Sequence, residues 1–331
     1  MNLQITHETR YDYEPMVEVA QHVCHLQPLS NASQALISHT VQISPEPDGQ
    51  TTSYDVYGNT RLFFSLQTSH SQLLVTARSK VATCTREMPQ SSLPWEPVRE
   101  GFRYAAGRPY DAAADFLFAS PFIPRHADFA AYARPSFEAG QPLLLAAQHL
   151  MQRIHTEFTY ESQSTEINTP ALSALAQRKG VCQDFAHIMI ACLRSLGLPA
   201  RYVSGYLLTR PQPGEVALTG SDASHAWVSV YVPDFPLGAR WCDFDPTNNR
   251  MGWGSPGEDY VLLATGRDFG DVSPLRGVIH GGADHVLSVG VTVEPYEPAA
   301  GMSQSQTLSP SPSPLQSQSQ SQSQSQTQSQ F

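Results

Sequence analysis

Val181-Cys-Gln-Asp-Phe-Ala-His-Ile-Met-Ile-Ala-Cys-Leu-Arg-Ser-Leu-Gly197 reads as a helix with a cysteine at its start. Phe185, Ile188, Met189, Cys192, Leu193 and Leu196 recur at helical spacing and form a broad apolar stripe, so the helix is expected to be largely buried. Gly197, followed by Pro199, stops it. Cys182 stands in the first turn, where backbone N–H groups lack helical partners and the helix dipole is positive. Both favour a thiolate, and the same N–H groups are natural donors to the oxyanion of a tetrahedral intermediate. A cysteine so placed is more often a small structural residue. Its meaning therefore depends on what the rest of the chain supplies.

On the C-terminal side, Ala200 to Leu207 reads as a strand, residues 210–222 as a Pro/Gly-rich loop, and His225 to Val232 and Arg240 to Phe244 as two further strands. His225 stands at the mouth of its strand, in Asp222-Ala-Ser-His-Ala-Trp-Val228. A neutral imidazole there can draw a proton from Cys182 and return it to a leaving group, although a plain hydrogen-bonded histidine fits the same spot. Asp245 ends Trp241-Cys-Asp-Phe-Asp245, directly before Pro246-Thr247-Asn248. A carboxylate there can fix the imidazole tautomer, or merely start an Asp-Pro turn. Asp243 shares its strand face and is the alternative for that role. His187 lies about 140° around the helix from Cys182 and reads as a polar core residue. Asp184 reads as a local cap. His280 and His285, flanking Gly281-Gly-Ala-Asp284, read as a turn into the last strand.

On the N-terminal side, Leu144, Ala147, Leu150, Met151, Ile154 and Phe158 mark an amphipathic helix, and Thr169-Pro170 opens a short one through Ala171 to Arg178. Residues 86–140 are punctuated by Pro89, Pro94, Pro97, Pro109, Pro121, Pro124 and Pro135, which leave room only for short helices such as Asp111 to Phe118 and His126 to Ala133. Leu3 to Tyr13, Val17 to Leu26, Ala35 to Ser44, Thr51 to Val56, Thr60 to Leu66 and Gln72 to Val81 are strand-like, with a tight turn at Gly58-Asn59. Val286 to Val293 alternates as a closing strand. The expected organisation is α+β: an antiparallel β-rich domain over 1–90, a Pro-rich helical connector packed on the core over 91–140, a core over 141–298, and a disordered Ser/Gln-rich tail over 299–331.

Composition narrows the partners. The 331 residues carry 20 Lys and Arg against 30 Asp and Glu, a net charge of -10, with no Lys/Arg cluster along the chain. Nucleic acid and anionic membranes, which want a basic footprint, are not expected partners. The start, Met1-Asn-Leu-Gln-Ile-Thr-His-Glu8, has no basic run leading into an apolar one, and no stretch approaches the roughly 20 apolar residues of a membrane span. A soluble cytoplasmic protein is expected. The five cysteines, Cys24, Cys84, Cys182, Cys192 and Cys242, are odd in number and widely spaced, which suits reduced thiols better than a disulfide framework or a zinc knuckle.

Four blocks together carry a resemblance: Gly180-Val-Cys-Gln-Asp-Phe-Ala-His187, Leu196-Gly-Leu-Pro-Ala-Arg-Tyr-Val-Ser-Gly-Tyr206, Ser224-His-Ala-Trp-Val228 and Asp245-Pro-Thr-Asn248. In this order they resemble the bacterial transglutaminase-like superfamily, and the β-rich first region resembles the domain that precedes its core. The resemblance covers about residues 1–295. It implies a papain-like core, with Cys182 as nucleophile, His225 as base and Asp245, rather than Asp243, as the orienting carboxylate. It also implies acyl transfer on a peptide, protein or peptide-like amide, through a thioester, without metal or organic cofactor. No tryptophan shortly precedes Cys182, where calcium-activated animal transglutaminases place one, and no calcium-binding loop is evident. Hydrolysis is therefore the expected reaction. Transamidation, or a non-catalytic protein-binding module that keeps the fold, are the alternatives.

Overall fold

The computed structural model describes residues 1–161, 169–208, 224–282 and 284–297. The loop expected at 210–222 and the tail at 299–331 lie outside the described residues.

β1 (Asn2–Cys24) is the spine of the first sheet. Leu3, Ile5, His7 and Thr9 are buried while their neighbours are less so, the period of two expected of a strand with one covered face. Its first half lies between β5 (His70–Thr83) and β14 (Asp284–Pro295), its second half between β4 (Thr60–Leu66) and β13 (Leu275–Gly281). β2 (Gln34–Ser44) adds to β5, and β3 (Gly49–Tyr54) to β4. All these pairs are antiparallel.

Two features differ from the sequence expectation. The strands expected at Leu3 to Tyr13 and Val17 to Leu26 are one strand, whose pairing with β5 jumps from Asp12↔Gln72 to Val17↔His70. Pro15 has no N–H to donate, so the ladder lapses there while the chain stays extended. The closing strand, expected to complete the 141–298 core, pairs with β1 instead, and β13, which the sequence did not suggest, does the same. Chain ends distant in sequence thus complete one sheet.

The second sheet holds β8 (Ala200–Leu207), β9 (Ser224–Tyr231), β10 (Trp241–Asp245), β11 (Arg250–Trp253) and β12 (Tyr260–Gly266), in the order β11-β10-β9-β8-β12. All its pairs are antiparallel. Against one face lies α5 (Cys182–Ser195), buried at every residue from Asp184 to Arg194. Phe185, Ile188, Met189, Cys192 and Leu193 share a cluster with Val228, Val230 and Phe244 of the sheet. Full burial of each of these Val, Leu, Ile, Met and Phe side chains contributes roughly 1.5–3 kcal/mol. Around α5 pack α1 (Trp95–Gly101), α2 (Ala127–Ala133), α3 (Leu143–Glu157) and α4 (Ala171–Gln177). α1 was not expected, because Pro97 stands in it; at the third helical position a missing N–H costs no helical bond.

The two sheets meet through Leu3, Ile5, Val81, Val291 and Val293 of the first and Tyr206, Val261 and Leu263 of the second. Two side-chain amides cover the free edge of β12. Gln34 donates to the Leu262 carbonyl and accepts from its N–H, both at 2.8 Å. Asn59 does the same for Thr265, at 2.7 and 2.8 Å. Each amide stands in for a neighbouring strand and leaves that part of the edge no free pairing groups. Among the described residues, no helix is long and apolar enough to cross a membrane.

Candidate functional site

Cys182 is the first residue of α5, and its backbone approach is set from both sides. β6 (Thr159–Tyr160) pairs in parallel with β7 (Lys179–Gly180), fixing the chain just before the cysteine. The Val181 N–H donates to Asp184 Oδ2 at 2.9 Å, so Asp184 caps the helix, as the sequence suggests. A Cβ on Gly180 would lie 2.6 Å from that oxygen, which accounts for glycine there. Cys182 is partly exposed, whereas Cys24, Cys192 and Cys242 are buried and Cys84 is exposed. Burial pushes the Cys24 thiol up to about 12 and raises Cys192 and Cys242 as well.

His225 enters from β9, opposite Gly205 of β8. A Cβ on Gly205 would meet the Val261 carbonyl at 2.2 Å and the Trp227 ring at 2.4 Å, so only glycine leaves room for Trp227. The Trp227 ring in turn stacks on His225, with centroids 6.2 Å apart. His225 Nε2 lies 2.8 Å from Asp245 Oδ2 at the end of β10. The imidazole also makes a side-chain hydrogen bond with Cys182. With Nε2 taken by Asp245, Nδ1 is the nitrogen left for the sulfur. Burial works against a charged imidazole here. Hydrogen bonds to Asp245 and Cys182, with the negative charge of both, outweigh it and raise His225 to about 10.

Asp245 is fully buried. Its Oδ1 accepts from the backbone of Thr247 at 2.8 Å and of Asn248 at 3.2 Å. Its Oδ2 accepts from the Tyr260 hydroxyl at 2.6 Å and the Asn248 amide at 2.7 Å, besides His225. Burial alone would raise this carboxyl; the bonds from His225, Tyr260 and Asn248 instead hold it below its ordinary value. Asp243 points to a different partner. Its carboxylate accepts from Ser229 and faces Arg201, and burial pushes it up to about 6. The structure therefore brings Cys182, His225 and Asp245 together and leaves Asp243 one rung away.

The remaining candidates have local duties. His187 is buried, accepts from the Phe269 N–H at 3.2 Å, and is pushed down to about 3 by burial and by Arg194. His280 pairs with Glu18 on β1 at 3.1 Å, and the His285 ring lies against Tyr11. No group of three or more metal-ligating side chains occurs among the described residues. Sequence reasoning missed Tyr260, which reaches Asp245 from β12 with no local signal, and the part played by Asn248, whose spacing of three from Asp245 in one turn was a readable hint.

Comparison with known proteins bears on this arrangement. Residues 3–82 match the bacterial transglutaminase-like N-terminal region and residues 130–246 match the transglutaminase-like superfamily. An uncharacterized protein of Mycobacterium tuberculosis is 39% identical over 305 residues, covering 89% of this chain and 93% of its own. A protein-glutamine gamma-glutamyltransferase of Pseudomonas aeruginosa is 31% identical over 110 residues, 32% of this chain and 16% of its own. The crystal structure of a candidate cysteine protease from Cytophaga hutchinsonii superposes with a TM-score of 0.65 at 20% identity, covering 89% of this chain and 90% of that one, a likeness of fold. Matched in both its β-rich first region and its helix-and-sheet core, and aligned with a relative over nearly the whole of that relative's length, this chain belongs to the transglutaminase-like superfamily.

Proposed function

We propose that the protein is a thiol-dependent enzyme that hydrolyses an amide or isopeptide bond through a thioester on Cys182. Membership of the superfamily is consistent with acyl-transfer or hydrolase chemistry of this kind, and the fold with a peptide or protein substrate. The observation that carries the reading is the His225 ring held between Asp245, 2.8 Å from Nε2, and the Cys182 thiol on its other side. An imidazole raised to about 10 carries its proton at neutral pH and is placed to give it to a leaving amine.

In this reading the Cys182 thiolate attacks the carbonyl carbon, and the oxyanion meets backbone N–H groups at the start of α5. His225 gives its proton to the leaving amine as the C–N bond breaks. Water then attacks the thioester, His225 takes its proton, and the C–S bond breaks to release the acid. Asp245 keeps the imidazole oriented and charged.

The test is release of amine or ammonia from a panel of peptides and cell-wall-type amide fragments, with the acyl-enzyme sought by intact-mass measurement after acid quench. Turnover that disappears in Cys182→Ser, with the adduct located on Cys182, supports the reading. An active Cys182→Ser enzyme contradicts it. A substrate that yields product only with an added primary amine would make transamidation the reaction, which the local similarity to a protein-glutamine gamma-glutamyltransferase supports as the second reading. Binding without turnover across the panel would favour the non-catalytic module.

A further inference from the structure

No run of Lys or Arg breaks the acidic sequence, yet the fold assembles one. At the C-terminal end of α5 lies an open cleft of about 720 Å³ lined by Arg99, Arg125, Arg134 and Arg194, with Trp95 and Phe137 in its wall. A smaller recess sharing Arg99, Arg125 and Arg194 adds Arg103. Five of the chain's 20 basic residues therefore converge on one place in a protein of net charge -10. No Asp or Glu is among the described residues that line the cleft.

Of these guanidiniums, Arg125 and Arg134 are the most open. Arg194 is buried in the wall of the cleft, and all its hydrogen-bond acceptors among the described residues are neutral: the carbonyls of Ala200, Phe118 and Arg267 and the Ser120 hydroxyl. The nearby carboxylate of Asp268 is occupied by the N–H groups of Phe122 and Gly270. Arg99 and Arg103 share Glu100. Arg125 reaches only the Leu117 carbonyl, at 3.4 Å, and the Arg134 side chain has no hydrogen-bond or ion-pair partner among the described residues. Arg125 and Arg134 have no carboxylate partner among the described residues, and like charges gathered beside one another repel.

We propose that this cleft binds a compact oxyanion carrying several negative charges, of phosphate or carboxylate type. Guanidinium forks suit both, through paired N–H···O bonds. The volume suits a small molecule. The cleft lies a full helix from Cys182, roughly 20 Å along the 14 residues of α5, so the ligand is not the group being cleaved. The proposal does not depend on the thioester chemistry.

The test is calorimetric titration of the full chain, at low salt, with tripolyphosphate in one arm and citrate in the other. Saturable binding of at least one probe is expected, and the tighter probe identifies the anion type. Arg125→Ala/Arg134→Ala removes two exposed side chains and should melt like wild type. It should weaken binding by about 10- to 100-fold, the loss of one or two charge-assisted bonds. Arg10→Ala/Arg78→Ala makes the same change in net charge on the first sheet and should leave the affinity unchanged. Failure of both probes to saturate would overturn the proposal. So would equal weakening by the two double variants, which would mean that net charge and not the cleft holds the anion.

Discussion

Replacing Asp245 by asparagine keeps the shape of the side chain and removes its charge. Five donors converge on that carboxylate: two backbone N–H groups on Oδ1, and His225, Tyr260 and the Asn248 amide on Oδ2. An amide offers one accepting oxygen and an NH2 that only donates. Whichever way it turns, at least two donors face that NH2. With the oxygen kept beside the two backbone N–H groups, the NH2 meets His225 Nε2 and drives the imidazole proton to Nδ1. There it faces the sulfur, and the ring cannot accept a thiol proton. Removing one partner of a buried ion pair costs about 3–5 kcal/mol. Holding His225 at about 10 instead of 6.5 is worth on the order of 5 kcal/mol, shared between Asp245 and Cys182. The two figures agree in size. Because the folded value lies above the unfolded one, this stabilisation is complete below pH 6.5 and is lost as pH rises through about 10. Urea unfolding of wild type and Asp245→Asn across that window should show a gap of about 3–5 kcal/mol at the acid end that narrows toward the alkaline end. A gap under about 1 kcal/mol, the worth of an exposed pair, or one that does not change with pH, would refute the reasoning.

Other perturbations test neighbouring parts. Asn59→Ala strips both partners from the buried Thr265 backbone and should cost about 2–5 kcal/mol in urea unfolding; an unchanged midpoint would mean that β12 does not need its edge covered. Tyr260→Phe keeps the ring against Trp227 and removes one donor from Asp245, for an expected loss of about 1.5–3 kcal/mol by the same measurement; wild-type stability would show that the four remaining donors suffice. Gly180→Ala must push the Asp184 carboxylate off the Val181 N–H, lowering the melting temperature and slowing Cys182 alkylation together, with about 1 kcal/mol at stake in the cap; if alkylation is unaffected, the cap does not position the thiol.

Periodicity made the local elements readable and left their partners open. The helix from Cys182, the three strands that follow it and the β-rich first region were legible because their apolar spacing is regular. The pairing of β13 and β14 with β1 was not, since an alternating strand says which face is covered and nothing about which strand lies beside it. β11 escaped because Gly252 interrupts its short apolar pattern; that glycine lies so close to the Ser255 carbonyl that a Cβ would sit 2.0 Å from it. At the site, the residue types and order of Cys182, His225 and Asp245 were legible, and strand registry separates Asp245 from Asp243 in a way that sequence spacing alone does not. Tyr260 and the arginine cleft depend on residues that only tertiary packing gathers.

The central claim is that the His225 imidazolium acts on the Cys182 sulfur, and the pH dependence of iodoacetamide labelling at Cys182 tests it most directly. Wild type should label Cys182 faster than the buried Cys24, Cys192 and Cys242. In His225→Ala, labelling should persist, because the start of α5 still favours the anion, but its profile should move to higher pH with the imidazolium gone. Superimposable profiles for the two proteins would contradict the account.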